Sequence, residues 1–332
     1  MTPLKVLVTG GAGFIGSNIV ATLCDDGHEV SVCDRLRDAA CGKWRNLSKH
    51  AIDDLTPPEH LFRWLEGNGS GLDLIVHMGA VSSTLEPDAD KIISNNFQLS
   101  RSLFDWCAAH GVRLIYASSA ATYGDGALGF EDSMDLGRLQ ALRPLNPYGW
   151  SKALFDVFAQ RRTAVGRAPP QCAGLKFFNV YGPNEGHKGE MRSVVAKIWP
   201  RVAAGESVQL FRSHRVGYAD GGQLRDFVYV RDVGACIAWL AGNPEVNGLF
   251  NLGSGTARTF ADLAGAVFAA ARREPRIDYI DMPQAMRGAY QYHTEAPMRR
   301  LREIGWRAPM TALEDGISDY VREYLSQSDS YR

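Results

Sequence analysis

The stretch Thr9-Gly-Gly-Ala-Gly-Phe-Ile-Gly16 follows a short apolar strand, Leu4-Lys-Val-Leu-Val8, near the start of this chain. Its glycines at positions 10, 13 and 16 are spaced by three residues. In a dinucleotide-binding turn the first glycine permits a tight turn, the second lets the backbone approach a pyrophosphate, and the third lets the helix pack close to the strand. The pyrophosphate then lies on the free N–H groups of the helix N-terminus. This stretch therefore predicts a dinucleotide-binding βαβ unit.

The second strand supplies the acidic residue that such a unit needs. An acid is expected ~20 residues after the glycines, at the end of the next strand, and Asp34 closes the stretch 29–34. A carboxylate there favours the free ribose hydroxyl of NAD. Arg35, Arg37 and Lys43 would instead neutralise the 2′-phosphate of NADP. The residues alone leave the choice between NAD and NADP open.

Composition places the chain among ordinary globular enzymes. It has 332 residues, a formal net charge of −1, 45% hydrophobic and 22% charged residues. No basic stripe favours nucleic acid, and no apolar run reaches the ~20 residues of a membrane span. The six scattered cysteines favour reduced thiols over disulfides or a zinc site. We therefore expect a cytoplasmic enzyme with no metal centre, no nucleic-acid partner and no membrane partner.

Strands and helices alternate through the first half of the chain, which predicts a Rossmann-type, doubly wound parallel α/β sheet with a smaller C-terminal α/β substrate domain. The cofactor domain is predicted to span 1–178, with returning segments at about 226–255, and the substrate domain 179–225 and 256–330. After the first two strands, further ones are predicted at 72–77, 113–117, 172–178, 226–230 and 248–252. Helices are predicted at about 92–110, 147–162, 193–204, 259–272 and 310–325.

A second motif, Tyr148-Gly-Trp-Ser-Lys152, carries the predicted chemistry. Asn146 is a good N-cap and Pro147 suits the first helical position, so Tyr148 and Lys152, four residues apart, share one helix face. A tyrosine normally loses its proton near pH ~10. A neighbouring ammonium and the positive charge of an oxidised nicotinamide favour the phenolate, which then removes a proton from a sugar hydroxyl.

Four stretches together resemble an extended short-chain dehydrogenase/reductase: 9–16, Ser118-Ser-Ala-Ala-Thr-Tyr-Gly124, Tyr148-x-x-x-Lys152 and Asn179-Val-Tyr-Gly-Pro183. The resemblance runs in order over nearly the whole chain. Within the family it is closest to enzymes that act on an ADP-linked heptose, on the strength of stretches at 80–84, 95–98, 178–183, 185–189, 225–230 and 288–291. It implies C6 epimerisation of ADP-D-glycero-D-manno-heptose to the L-glycero epimer, with bound NADP, for lipopolysaccharide core synthesis. It also implies a homo-oligomer, a pentamer.

The resemblance implies specific roles for residues of this chain. The catalytic set is Ser119, Tyr148, Lys152 and Lys188. The implied cofactor-binding residues are Gly10, Gly13, Phe14, Ile15, Gly16, Asp34, Arg35, Lys43, Met78, Gly79, Ala80, Val81, Ser82, Asn95, Tyr148, Lys152, Val180 and Lys188. The implied substrate-binding residues are Ser119, Asn179, Glu190, Lys197, Phe211, Arg212, Ser213, His214, Arg225 and Tyr290.

Lys188 has some support that is independent of the resemblance. The chain has only eight lysines against 28 arginines, yet one of the lysines lies in the glycine-flanked loop Gly186-His-Lys-Gly189. A partly buried lysine can titrate, whereas arginine cannot. An epimerase needs acid/base groups on two sides of its substrate, because hydride leaves one face of the carbon and returns to the other.

Two rival functions remain at this stage. The first rival is another sugar-nucleotide enzyme of the family, a 4-epimerase or a dehydratase. It stays open because the sequence departs from the subfamily pattern at Glu190, Lys197, Trp150 and the stretch 212–214. A dehydratase usually has an Asp-Glu pair after the serine motif, and Thr122-Tyr-Gly-Asp125 lacks it. The other rival is a non-catalytic NADP-binding regulator, against which the presence of the serine, tyrosine and lysine argues.

Overall fold

The structure is a computed structural model that describes residues 2–287 and 290–332. Gly288 and Ala289, the first two residues of the predicted substrate stretch 288–291, lie outside the described residues. None of the helices within the described residues is both long and apolar enough to cross a bilayer.

The described residues form one large sheet and two small ones. The strands are β1 (Lys5–Thr9), β2 (Glu29–Cys33), β3 (Asp54–Thr56), β4 (Leu74–His77), β5 (Arg113–Ser119), β6 (Cys172–Phe177), β7 (Asn179–Tyr181), β8 (Val208–Phe211), β9 (Leu224–Tyr229), β10 (Gly248–Leu252), β11 (Ala257–Thr259) and β12 (Ile277–Ile280).

Helices connect most of these strands. The α-helices are α1 (Phe14–Asp25), α2 (Leu61–Asn68), α3 (Ala89–Ile92), α4 (Leu99–His110), α5 (Leu136–Ala141), α6 (Pro147–Ala164), α7 (Val194–Ala204), α8 (Val230–Gly242), α9 (Phe260–Ala270), α10 (Gln284–Arg287), α11 (Arg299–Glu303) and α12 (Leu313–Tyr320). Segments of π-helix follow α3 (Ile93–Gln98) and α12 (Val321–Leu325), and short 3₁₀ turns include Lys43–Leu47, Ala120–Tyr123 and Gly186–Met191.

The large sheet confirms the predicted Rossmann-type fold. Its seven strands run in the order β10-β6-β5-β4-β1-β2-β3, and every pairing is parallel. The order reverses between β1 and β4, where ligands of doubly wound sheets bind at the carboxyl ends of the strands. Because both faces are covered by helices, the central strands are apolar and buried, as in Leu74, Ile75 and Val76 of β4.

The predicted elements are found with small shifts at their ends, and five strands were not predicted. The predicted strand 248–252 is β10, and the predicted helix 92–110 corresponds to the last residue of α3, the π-helical segment and α4. β3, β7, β8, β11 and β12 are missing from the prediction because they are only three or four residues long and at most half of each strand's residues are buried.

The C-terminal half returns to the large sheet before it builds its own layer. β10 pairs with β6 in the large sheet. β7, β9 and β11 form a three-stranded sheet, and β8 pairs with β12. A separate apolar cluster joins α7, α9 and α12, through residues such as Val195, Val267 and Ile317. The boundaries of the two domains, 1–178 with 226–255 against the remainder, stay a prediction.

Candidate active site

The glycine turn after β1 packs so closely against the loop after β4 that its first residue has no room for a side chain. Gly10 has a φ of +69°, and a Cβ there would lie 2.7 Å from the backbone nitrogen of Gly79. Gly13 is the N-cap of α1, and no side chain caps this helix. The predicted residues Phe14, Ile15 and Gly16 form its first turn. The helix N-terminus thus offers N–H donors and a positive dipole end to an anion.

The predicted acid lies directly after β2 and is already paired. Lys43 Nζ lies 2.5 Å from Asp34 Oδ1, and both side chains are about one-tenth exposed. The other carboxylate oxygen, Oδ2, accepts from the backbone N–H of Ala12 at 3.0 Å. Arg35, by contrast, is directed to Glu59 on the surface. Lys43 is therefore the cation that offsets the charge of Asp34 at this strand end.

The loop after β4 contains the predicted residues Met78, Gly79, Ala80, Val81 and Ser82. Met78 donates its N–H to the carbonyl of Thr9, and Gly79 donates to Thr9 Oγ1 at 3.2 Å. These bonds hold the loop beside the glycine turn. The loop therefore lines the edge where the sheet order reverses.

The adjacent residues Asn95 and Asn96 have different hydrogen-bond partners, and a cofactor contact of Asn95 stays a prediction. Asn95 donates to the carbonyl of Lys91 within its own helix. The buried Asn96 instead accepts from the N–H of Val81 at 2.8 Å and donates to its carbonyl at 3.0 Å. Both residues lie in the π-helical segment Ile93–Gln98, whose turn is wider than that of an α-helix.

Three predicted catalytic residues come from two neighbouring elements. Ser119 is the last residue of β5, and Tyr148 and Lys152 lie in the first two turns of α6. The side chain of Asn146 caps α6 by accepting from the N–H of Gly149 at 2.8 Å. Lys152 is 4% exposed and donates from Nζ to the carbonyl of Ala117 at 2.8 Å. The structure therefore brings Ser119, Tyr148 and Lys152 to one end of the sheet.

Burial governs the ionisation of both Tyr148 and Lys152 in the protein without its cofactor. Burial raises the pKa of Tyr148, and a side-chain hydrogen bond with Ser119 only partly opposes this. Burial also lowers the pKa of Lys152 to about 8, against the attraction of Asp156. In the protein alone, burial is therefore the main influence on the pKa of the Tyr148 phenol.

Lys188 lies on the loop after β7 and reaches the glycine turn. Its Nζ is 5.0 Å from the ring centre of Phe14. Asn18 donates to the carbonyl of Pro183, and Asn184 donates to Ser17 Oγ, which fixes this loop on α1. Asn179 and Val180 lie just before, in β7. The structure therefore brings the predicted second acid/base to the cofactor edge.

Charged and polar neighbours surround Lys188. Burial lowers the pKa of Lys188, and the carboxylate of Glu185 opposes this. Glu185 is itself buried and accepts from Ser193 Oγ at 2.6 Å and from the Tyr320 hydroxyl at 3.1 Å. Burial, and then the charges of Lys43 and Lys188, lower the pKa of His187 to about 4. The imidazole therefore stays neutral near pH 7.

One group of predicted substrate residues forms an aromatic and cationic cluster. The guanidinium carbon of Arg225 lies 5.1 Å from the ring centre of Tyr290, and Phe211 packs edge-on to the same ring at 6.4 Å. Burial lowers the pKa of Arg225. The backbone N–H of His214 donates to the hydroxyl of Tyr292 at 2.9 Å. The cluster presents a desolvated cation of the kind that binds phosphate.

The other predicted substrate residues are far more exposed. Glu190 and Lys197 face each other at 3.7 Å, with side chains 92% and 39% exposed. Arg212 lies near Asp220 at the surface, and Ser213 accepts at its hydroxyl from the N–H of Arg215. Glu190 and Lys197 pair with each other and are not part of the Arg225–Tyr290 cluster.

The sequence prediction missed several buried polar residues that hold the site together. Asn46 donates to the carbonyls of Ala12 and Asn184, so it joins the glycine turn to the Lys188 loop. Asp156 and Lys176 form a fully buried ion pair. A usable signal existed for Lys176, because a lysine in the middle of the apolar stretch 172–178 contradicts a strand buried on both faces.

A nicotinamide dinucleotide fits this set of residues. Glycine at position 10 lets the turn pack directly against the backbone of Gly79, and α1 begins without a capping side chain, so its N–H groups are available to the pyrophosphate. Asp34 and Lys43 lie where the adenosine ribose is bound in this type of fold, and Tyr148 and Lys152 lie at the other end of the same edge.

Comparisons with known proteins agree with the geometry. A family model described as "NAD dependent epimerase/dehydratase family" matches residues 6–253. A relative from Nitratidesulfovibrio vulgaris (strain DP4), named ADP-L-glycero-D-manno-heptose-6-epimerase, is 49% identical over 328 residues, covering 98% of this chain and 99% of the relative.

Two solved structures are also similar over nearly their whole length. The ADP-L-glycero-D-manno-heptose-6-epimerase of Helicobacter pylori has 26% identity and a TM-score of 0.78, covering 98% of this chain and 97% of that one. The UDP-glucose 4-epimerase of Thermus thermophilus, in complex with NAD, has 28% identity and a TM-score of 0.73, covering 96% and 98%. Because the family model covers well over half of the sequence, the chain belongs to the NAD dependent epimerase/dehydratase family.

Proposed function

We propose that this enzyme converts ADP-D-glycero-D-manno-heptose to ADP-L-glycero-D-manno-heptose at C6, with NADP as its bound cofactor. The observation that carries the proposal is the position of Lys188 beside Phe14 of the glycine turn. It gives the site a second titratable group on a different element from Tyr148 and Lys152. The 49% identity to a relative of that name over nearly the full length supports the choice of substrate.

When bound, the nicotinamide supplies a hydride acceptor for the alcohol and a hydride donor for the resulting carbonyl. The protein must then move one proton at the C6 oxygen in each half of the reaction. Tyr148 does so on one side of the substrate, while Ser119 hydrogen-bonds the reacting oxygen and the Lys152 ammonium stabilises the phenolate. Lys188 does so on the other side.

NADP is favoured by the state of the acid at the end of β2. A free carboxylate would repel a 2′-phosphate, but Asp34 has its charge offset by Lys43 at 2.5 Å. Lys43 also donates to the carbonyl of Arg35 at 2.9 Å, so it is fixed at this strand end. A lysine held in place there provides a cation for the phosphate without a rearrangement of the loop.

The substrate cluster fits a sugar nucleotide. Arg225 is buried and packs against the rings of Phe260 and Tyr290. A desolvated guanidinium suits the diphosphate, and aromatic edges suit the apolar faces of a sugar or a base. The predictions of a cytoplasmic homo-oligomer that supplies lipopolysaccharide core synthesis belong to the same proposal.

A panel of sugar nucleotides tests the proposal. Purified protein is incubated with ADP-, GDP-, UDP- and dTDP-linked sugars, and the products are identified by NMR. We expect ADP-D-glycero-D-manno-heptose to be converted to a mixture of the two C6 epimers. Nucleotide released by denaturation and identified by mass should be NADP. Turnover of a UDP- or dTDP-sugar with ADP-heptose untouched would contradict the substrate, and release of NAD alone would contradict the cofactor.

A further inference from the structure

A buried ion pair lies behind the catalytic residues. Lys176, in the middle of β6, places Nζ 2.8 Å from Oδ2 of Asp156 on α6. Both side chains are 1% exposed. A buried ion pair usually contributes little net stability, because taking two charges out of water offsets their attraction. Well-packed apolar residues would fill this position at least as well, so the pair needs another explanation.

Hydrogen bonds connect the pair to both sides of Ser119. The Ser118 hydroxyl donates to Asp156 Oδ2 at 2.7 Å. Lys176 donates to Thr122 Oγ1 at 2.6 Å, and Thr122 in turn donates to the carbonyl of Ser119 at 2.8 Å. The end of β5 and the turn after it are thereby held from two directions.

The pair also acts on the helix that carries the other catalytic residues. Tyr148, Lys152 and Asp156 follow one another at intervals of four residues, so they share a face of α6. The Asp156 carboxylate raises the pKa of Lys152, which burial lowers to about 8. His77, at the end of β4, is also close enough to interact with the charge of Lys152, and burial lowers its pKa to about 3, so it stays neutral.

We infer that Asp156 and Lys176 are positioning residues for the reaction. The pair fixes the end of β5, with Ser119, against the face of α6 that carries Tyr148 and Lys152, and the Asp156 carboxylate keeps Lys152 cationic at neutral pH. This inference rests on the proposed function only in taking Ser119 and Lys152 as the working groups.

The positioning role is tested by kinetics with small deletions. Ser118→Ala and Thr122→Val each remove one hydroxyl of the network and nearly keep its shape. We expect kcat to fall ~10-fold or more in each, because small misplacements of a catalytic group are costly, with KM and cofactor affinity within about twofold of wild type. The control, Asp105→Asn with Arg162→Met, removes a half-exposed ion pair that also involves α6 and should leave kcat unchanged. Full kcat in both hydroxyl variants would overturn the positioning role.

The electrostatic role is tested without any substrate. The eight lysines allow NMR titration of their ¹³Cε signals, and the Lys152 signal is assigned by its loss in Lys152→Met. We expect the Lys152 midpoint to lie near 8 in wild type and lower in Asp156→Asn, which removes only the carboxylate charge. An unchanged midpoint in the folded Asp156→Asn variant would overturn this role.

The kinetic experiment and the NMR titration distinguish a failure of this inference from a failure of the proposed function. If the wild-type enzyme converts a different sugar nucleotide, the kinetic arm is run on that substrate. If it converts none, the proposed function fails while the NMR titration still decides whether Asp156 controls Lys152. If Asp156→Asn does not fold, the two hydroxyl variants decide the positioning role, and the titration uses Lys176→Met, which leaves the Asp156 carboxylate without its partner cation and should raise the Lys152 midpoint.

Discussion

The cofactor edge and the substrate-facing surface of this enzyme are built in different ways. At the cofactor edge the polar residues are buried and already paired: Lys43 with Asp34, Lys152 with the Ala117 carbonyl, Asn96 with Val81. On the predicted substrate side, the side chains of Glu190 and Lys197 are exposed to solvent, and Lys197 Nζ lies 3.7 Å from Glu190 Oε2. The cofactor edge is therefore preorganised, whereas Glu190 and Lys197, two of the residues predicted to bind substrate, form an exposed ion pair with each other.

This difference determines what each substitution should change. A preorganised group stabilises the transition state without a cost of ordering, so its loss should appear in kcat. A group that is ordered by the substrate contributes to binding, so its loss should appear mainly in KM. Arg225 is informative because it belongs to the substrate side yet is 8% exposed.

The largest effect is expected at Tyr148. Tyr148→Phe removes the phenol and keeps the ring, so we expect kcat to fall by the ~10²–10⁴-fold that general acid/base catalysis provides. Cofactor affinity should change little, because the glycine turn is untouched. Steady-state kinetics and a cofactor titration measure both values. Near-normal turnover would exclude Tyr148 as an essential acid/base.

A smaller effect, in KM, is expected at Arg225. Arg225→Met keeps much of the packing against Tyr290 and removes the charge. Loss of a charge-assisted bond to the diphosphate should raise KM ~10- to 100-fold with a modest change in kcat. Arg201→Met, an exposed arginine of α7, is the control. A fall in kcat at constant KM would place Arg225 with the preorganised groups instead.

Next in size is a change in cofactor preference at Lys43. Lys43→Met removes the cation that offsets Asp34, so the Kd of NADP should rise roughly tenfold, in line with a charge-assisted hydrogen bond, while that of NAD should change less. Fluorescence titration of cofactor-free protein gives both constants. Lys49→Met, in the next turn of the same segment, is the matched control. An equal loss for the two cofactors would contradict a 2′-phosphate contact.

The smallest expected effect is a pH dependence at neutral to alkaline pH. The pKa of Lys152 is about 8 in the protein, below its ordinary value, because the ammonium is buried. As the pH rises through about 8, Lys152 loses its charge, and the phenolate of Tyr148 loses its stabilising cation. We therefore expect kcat to decline above pH 8. A profile that stays flat to pH 10 would show that Lys152 is charged throughout.

Local sequence patterns predicted the parts of the site that lie close together in the chain. The glycine turn, Asp34 at the end of β2 and the Tyr148–Lys152 spacing each depend on one strand end or one helix turn. The strand order follows from the alternation of strands and helices, so the edge where these residues meet was predictable as well.

Contacts between distant segments were not predictable in this way. Asn96 bonds Val81 from a π-helical segment, and no propensity pattern signals such a segment. Asn46 joins Ala12 to Asn184, 34 and 138 residues away. The carboxylate of Glu185 accepts a hydrogen bond from the hydroxyl of Tyr320, which lies 135 residues further along the chain. Lys176 is the exception, because a lysine within an apolar strand already indicates a buried partner.

The central claim is that two groups on opposite sides of the substrate carry the epimerisation, and Lys188→Met tests it most directly. The substitution keeps the length of the side chain and removes its charge and proton. Turnover is followed from each ADP-heptose epimer by NMR, with Lys91→Met, an exposed lysine, as the control. We predict that epimerisation falls ~10²-fold or more with NADP still bound, and that reduction of a ketone analogue by the variant loaded with NADPH becomes unequal between the two epimeric alcohols. Wild-type rates from both epimers would contradict the two-sided mechanism.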